Sequence, residues 1–263
     1  MAPLAVNSGR LNPVTIVLVH GNPETTAVWG PMLDRLGRDD VLALSPPGFG
    51  APLPAGFGAT VEEYRDWLVA ELEALAGPVH LMGHDWGGAH VVNVAMTRPD
   101  LLRSWATDVI GVFDPDYVWH QLAQIWQTPG AGEELVDLML SGPATERAQR
   151  LTERGITAPV AERLVAEQHA DLRPAILALY RSAAQPVMAR LGEGLPAAAA
   201  RPGLSVLAFG DTMVGTDEQR RRSAAKAGAR TVELDGVGHW WMVEDPDRAA
   251  AVLTDFWAGV PAQ

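Results

Sequence analysis

The stretch Leu81-Met-Gly-His-Asp-Trp-Gly-Gly88 (LMGHDWGG) decides the fold. The apolar run PVHLMGH before it reads as a buried strand, and the residues from 87 to about 97 read as a helix. Gly83-His-Asp-Trp-Gly87 has the form G-x-nucleophile-x-G, in which small residues let a strand turn sharply into a helix with one reactive side chain at the tip. Here that residue is Asp85, a carboxylate.

Outward from the elbow the pattern is regular. VTIVLV (14–19) is β-branched and unbroken, as in a parallel strand buried on both faces, and DVLALSPPGFG repeats the form with a Pro/Gly turn. TVEEYRDWLVAELEAL places apolar residues at helical spacing, with Thr60 as cap and Glu63 three residues on. Strand and helix alternate, which predicts an α/β fold with a mostly parallel central sheet flanked by helices. From 112 to 195 the rhythm changes to helical segments punctuated by Pro and Gly, and LPAAAARPG reads as a return linker. LSVLAFGD, a helix over 218–227, RTVELDG and a helix over 248–257 then resume the first pattern. The expected organisation is a core of 1–111 and 196–263 with a helical cap, 112–195, inserted into it.

Composition narrows the function. With 263 residues, 48% of them hydrophobic, the chain can bury one substantial core. A net charge of −12 repels nucleic acid and anionic membranes, so a neutral small molecule is the expected partner. There is no cysteine, hence no disulfide and no thiolate metal site. MAPLAVNSGR lacks a basic segment followed by a long apolar one, and a cytoplasmic monomer or homodimer is expected. His80 and His84 are four apart, but on a strand and turn, where that spacing makes no metal face; neither metal nor cofactor is expected.

Taken together, VLVHGNP, GHDWGG and GVGHWWMVEDPD resemble the α/β-hydrolases over nearly the whole chain, and the Asp-Trp pair resembles the branch of epoxide hydrolases and haloalkane dehalogenases. Chemistry explains the aspartate. Serine attacking a saturated carbon would form an ether and stay blocked. A carboxylate forms an alkyl ester, whose carbonyl water can attack to regenerate the enzyme. Asp85 therefore implies displacement at an sp3 carbon.

The resemblance implies further roles. His239, in DGVGHWW, stands where the family keeps its water-activating histidine. Asp211 ends the strand LSVLAFG, 28 residues before His239, and would orient it. Many relatives carry this acid a few residues later, where this chain has Met213, and Asp108 on the earlier strand is the rival. The backbone N–H groups of Asn22 and Trp86 would bind the oxyanion. His20 would shape that loop.

The leaving group separates the two reactions. A departing halide needs only donors around it, whereas an opening epoxide becomes an alkoxide and benefits from an acid. LALYRSA resembles the segment holding one ring-opening tyrosine of epoxide hydrolases, which nominates Tyr180. The usual second tyrosine is replaced by Leu122, but Trp119-His120 resembles a branch that uses histidine, with Tyr117 in reserve. GHW at 238–240 also leans toward epoxide hydrolases. The expected activity is hydrolysis of a small apolar epoxide to a vicinal diol. Asn22 and Trp86 as halide donors carry the alternative of a haloalkane dehalogenase, and a silent ligand receptor is a third, less favoured reading.

Overall fold

The order of the strands brings the elbow to the middle of the sheet. The computed structural model describes residues 15–261; Val14 of the first predicted strand and the N-terminal stretch read for a leader lie outside the described residues. The first half runs β1 (Ile16–Val19), α1 (Gly30–Leu36), β2 (Val41–Leu44), α2 (Val61–Glu73), β3 (Val79–Gly83), α3 (Trp86–Thr97) and β4 (Leu102–Thr107). Six helices follow: α4 (Gln121–Gln127), α5 (Ala131–Leu140), α6 (Ala144–Thr152), α7 (Ala158–Glu167), α8 (Leu172–Ser182) and α9 (Val187–Leu191). The chain then closes with β5 (Gly203–Ala208), α10 (Asp217–Lys226), β6 (Ala229–Leu234), α11 (Trp241–Glu244) and α12 (Pro246–Ala258).

The sheet order is β2-β1-β3-β4-β5-β6, with every pairing parallel. Side chains alternate between its faces. On β1, Val17 and Val19 join Leu81 and the α2–α3 layer, while Ile16 and Leu18 join Met82, Trp241 and Leu253 on the other side. Both layers exclude water, so the strand is apolar throughout, as its sequence suggested. Thr60 and Glu63 form a reciprocal capping box that starts α2 where the pattern placed it.

Register positions the site. Val19 pairs with Gly83 and Gly83 with Thr107, so β1, β3 and β4 end level and their following loops meet. One segment differs from its reading as a linker: Gly192–Ala200 is a 3-10 helix. Leu195 and Ala198 are buried, and the Ala198 carbonyl accepts a hydrogen bond from the Trp105 indole at 3.0 Å. The alanines are small enough for this close approach, which composition alone does not reveal. Among the described residues no helix is long and apolar enough to cross a membrane.

Candidate active site

Asp85 stands between β3 and α3 with φ 50° and ψ −128°, a left-handed conformation unfavourable for a residue with a side chain. Its neighbours must be small. A Cβ on Gly87 would lie 2.1 Å from the Val19 carbonyl oxygen, and one on Gly21 would lie 2.1 Å from Asp85 Oδ1. The Asn22 N–H donates to Asp85 Oδ1 at 2.8 Å. Trp86 opens α3, so its N–H lies outside the helix ladder beside the same carboxylate.

His239 Nε2 lies 3.6 Å from Asp85 Oδ2, and His239 Nδ1 lies 2.8 Å from Asp211 Oδ2. The other oxygen of Asp211 accepts the Met213 N–H at 2.8 Å, which fixes the carboxylate. Burial alone would lower the His239 pKa, but the charge and hydrogen bond of Asp211 outweigh it and raise the value above normal. Burial raises the carboxyl of Asp85 above its usual range, opposed by His239, His84 and the Asn22 N–H. The outcome is a poorly solvated carboxylate, held by one oxygen and open at the other. Such a group is well prepared to attack carbon.

A cavity of about 310 Å³ opens on Asp85, lined also by Trp86, Val109, Val112, Tyr117, His120, Tyr180 and Met213. Tyr180 OH accepts from Asn22 Nδ2 at 3.5 Å, and burial foremost raises its pKa well above normal, so the phenol stays protonated. His120 caps α4: its Nδ1 accepts the Ala123 N–H at 3.2 Å, which leaves the ring hydrogen on Nε2. Burial, and then the positive field of His239, lower the His120 pKa to about 4. Tyr117 lines the same cavity, but its hydroxyl donates to the Met213 carbonyl at 2.7 Å and is thereby occupied. His20 spans Gly21 O and Ser45 Oγ at 3.0 Å each, and burial lowers its pKa to about 4. It braces the Gly21–Asn22 turn from behind.

Comparison with known proteins agrees with this fold. The model of the alpha/beta hydrolase family matches residues 16–252. The chain belongs to that family. Among curated relatives, haloalkane dehalogenase 2 of Mycobacterium tuberculosis is 26% identical over 261 residues, covering 91% of this chain and 86% of that one. An epoxide hydrolase of Caballeronia sordidicola is 30% identical over 95 residues, 34% of this chain and 29% of that one. The (E)-2-((N-methylformamido)methylene)succinate hydrolase of Acinetobacter baylyi matches at 31% over 93 residues, 35% of each chain. Among solved structures, epoxide hydrolase A from Mycobacterium thermoresistibile superposes with a TM-score of 0.74 at 22% identity, covering 97% of this chain and 94% of that one. Haloalkane dehalogenase DbeA from Bradyrhizobium elkani gives 0.69 at 21%, with 95% and 93% covered. Identities this low establish a common fold.

This α/β-hydrolase carries a second buried network that sequence reasoning missed. His84, directly before Asp85, is flanked by Asp108 Oδ2 at 2.5 Å on Nδ1 and by Glu24 Oε1 at 3.0 Å on Nε2. Burial would lower the His84 pKa, but the two carboxylates raise it well above normal. His84 in turn outweighs the burial of Glu24 and brings that carboxyl down to about 2. The result is an ion triad with the imidazolium at its centre. It grips the loops that follow β1, β3, β4 and β6. Glu24 Oε2 accepts the Gly21 N–H at 3.1 Å and Asp108 Oδ1 the Asp85 N–H at 3.1 Å. The Trp240 and Trp241 indoles, next to His239, donate to Glu24 at 2.5 Å and to Asp108 at 2.8 Å. Asp108 is thus engaged with His84 and Trp241, and Asp211 faces His239. Ligand-type atoms of Glu24, His84 and His239 lie within 4.8 Å of one another. A cation there would have to displace the proton that the two carboxylates hold on His84. The sequence signal was slight: one acid in an apolar loop and one histidine at a strand end.

Proposed function

We propose that this hydrolase opens epoxides to vicinal diols through an alkyl ester on Asp85. Asp85 Oδ2 attacks an epoxide carbon and breaks its bond to oxygen, and the alkoxide takes the Tyr180 proton while His120 Nε2–H also donates to it. Water then gives a proton to His239 Nε2 and attacks the ester carbon of Asp85. The oxyanion on the former Oδ1 is held by the N–H groups of Asn22 and Trp86. Asp211 stabilises the imidazolium formed in that step. Collapse breaks the ester and releases the diol, the alcohol oxygen taking the His239 proton, and the hydrogen left on the new Asp85 oxygen returns to the Tyr180 phenolate. The helical block 112–195 acts as a cap that carries both acids over Asp85.

The observation carrying this reading is the hydrogen bonding around Tyr180. Asn22 Nδ2, one of the pair that would cradle a halide, donates to the phenol oxygen at 3.5 Å, and the ring of the other, Trp86, meets the Tyr180 ring edge-on at 5.3 Å between centroids. A hydroxyl that accepts from Asn22 has its single hydrogen left for another partner, and Asp85 and His120 share its cavity. The length of the match to haloalkane dehalogenase 2 favours the second reading, in which those two donors face a leaving halide.

Tyr180→Phe decides between them. With styrene oxide or 1,2-epoxyhexane the variant should form diol about a hundredfold more slowly, the loss expected for one donor to a developing oxyanion. Hydrolysis of a preformed ester should be nearly unchanged. Unchanged epoxide turnover in the variant, or halide release from 1-bromobutane by wild type with no diol from any epoxide, would favour the dehalogenase.

The two acids are also separable. Asp211→Asn should slow ester hydrolysis on the order of 10⁴-fold, because the imidazolium loses its partner. Asp108→Asn should act mainly on thermal stability, since it weakens the ion triad around His84. Stopped-flow rates and melting curves of both variants check this, and the reverse ranking would reassign the acid.

A further inference from the structure

A second cleft, about 520 Å³ of open space, lies against α8 one turn and more before Tyr180. Its wall is largely apolar: Val136, Leu172 and Ile176, all buried, line it together with the partly exposed Met139 and Leu140. Its rim carries Arg147 and Arg150, three apart on α6, and Arg154 in the turn just past its end. Among the described residues no carboxylate lines this cleft and none of the three arginines is in an ion pair. Other arginines of the chain, Arg98, Arg173, Arg181, Arg221 and Arg222 among them, are paired with acids.

The guanidinium groups are only partly satisfied. Arg150 Nη2 donates to the Met139 and Ser141 carbonyls at 3.1 and 3.0 Å, and Arg147 Nη1 reaches Gln168 Oε1 at 3.4 Å. Arg147 Nε is buried with no partner. A buried, unpaired guanidinium N–H is costly unless an acceptor reaches it, and the natural acceptor is a planar anion.

We propose that this cleft binds an amphiphilic carboxylate, its head on Arg147 and its neighbouring arginines and its alkyl chain along Val136, Leu172 and Ile176. An apolar wall with a few convergent donors is the usual make-up of a ligand site. The site does not depend on the chemistry assigned to Asp85. Its walls do include Pro23, next to Asn22, and Ile176, one turn before Tyr180.

Calorimetric titration of the full chain with decanoate, decanol and acetate tests the proposal. Decanoate should bind at one site, with decanol and acetate each at least roughly tenfold weaker, because each lacks one half of the recognition. Arg147→Gln should weaken decanoate by roughly tenfold or more, and Ile176→Trp, which fills the cleft, should abolish its binding. Decanol binding as tightly as decanoate to wild type would overturn the proposal without recourse to any variant. So would decanoate affinity unchanged by both substitutions.

Discussion

Asp85→Ala should lose turnover on the order of 10⁶-fold, the scale seen when a covalent enzyme is deprived of its nucleophile. No other carboxylate can take over. Asp211 is committed to His239 and the Met213 N–H, and Asp108 to His84, Trp241 and the Asp85 N–H. The elbow fixes the direction of attack as well, since Oδ1 is held by Asn22 and only Oδ2 is open. Diol formation from styrene oxide, followed by chromatography, measures the loss. Residual activity near wild type would mean that water attacks the epoxide directly.

His239→Gln separates the two halves of the reaction. Alkylation of Asp85 does not need the imidazole as a base, so one equivalent of epoxide should still react. Ester hydrolysis should then stall on the order of 10⁶-fold, as when the general base of a triad is removed. Intact-protein mass spectrometry should show the chain heavier by one substrate. In wild type the hydrolytic step should depend on pH in a definite sense. The base must be neutral, and Asp211 raises the His239 pKa above normal, so the rate should rise with pH through that value and fall below it. Alkylation itself helps, because an esterified Asp85 no longer contributes its charge to holding the proton on His239. A mass unchanged after mixing His239→Gln with epoxide would contradict this division of labour.

Much of the fold was readable because its determinants are local. The unbroken apolar strands, the Thr60–Glu63 box and the glycines around Asp85 each depend on residues within a few positions of one another. The pairing of Asp211 with His239 was also within reach, since each follows a strand of recognisable pattern. What escaped depends on long-range contacts. Glu24 meets His84 across 60 residues and Asp108 meets Trp241 across 133, and no spacing rule connects them. The choice between His120 and Tyr117 rested on a tertiary detail, the Met213 carbonyl that occupies the Tyr117 hydroxyl. The 3-10 helix at Gly192–Ala200 was read as a linker because alanine composition carries no sign of what it packs against.

The central claim is that Asp85 becomes an ester whose carbonyl, rather than the epoxide, is attacked by water. A single turnover in heavy-oxygen water, with enzyme in excess over styrene oxide, followed by peptide mass spectrometry of the segment containing Asp85, tests it directly. The mechanism predicts heavy oxygen in the Asp85 carboxylate and an unlabelled diol from the first turnover. Heavy oxygen in the diol alone, with Asp85 unlabelled, would contradict it.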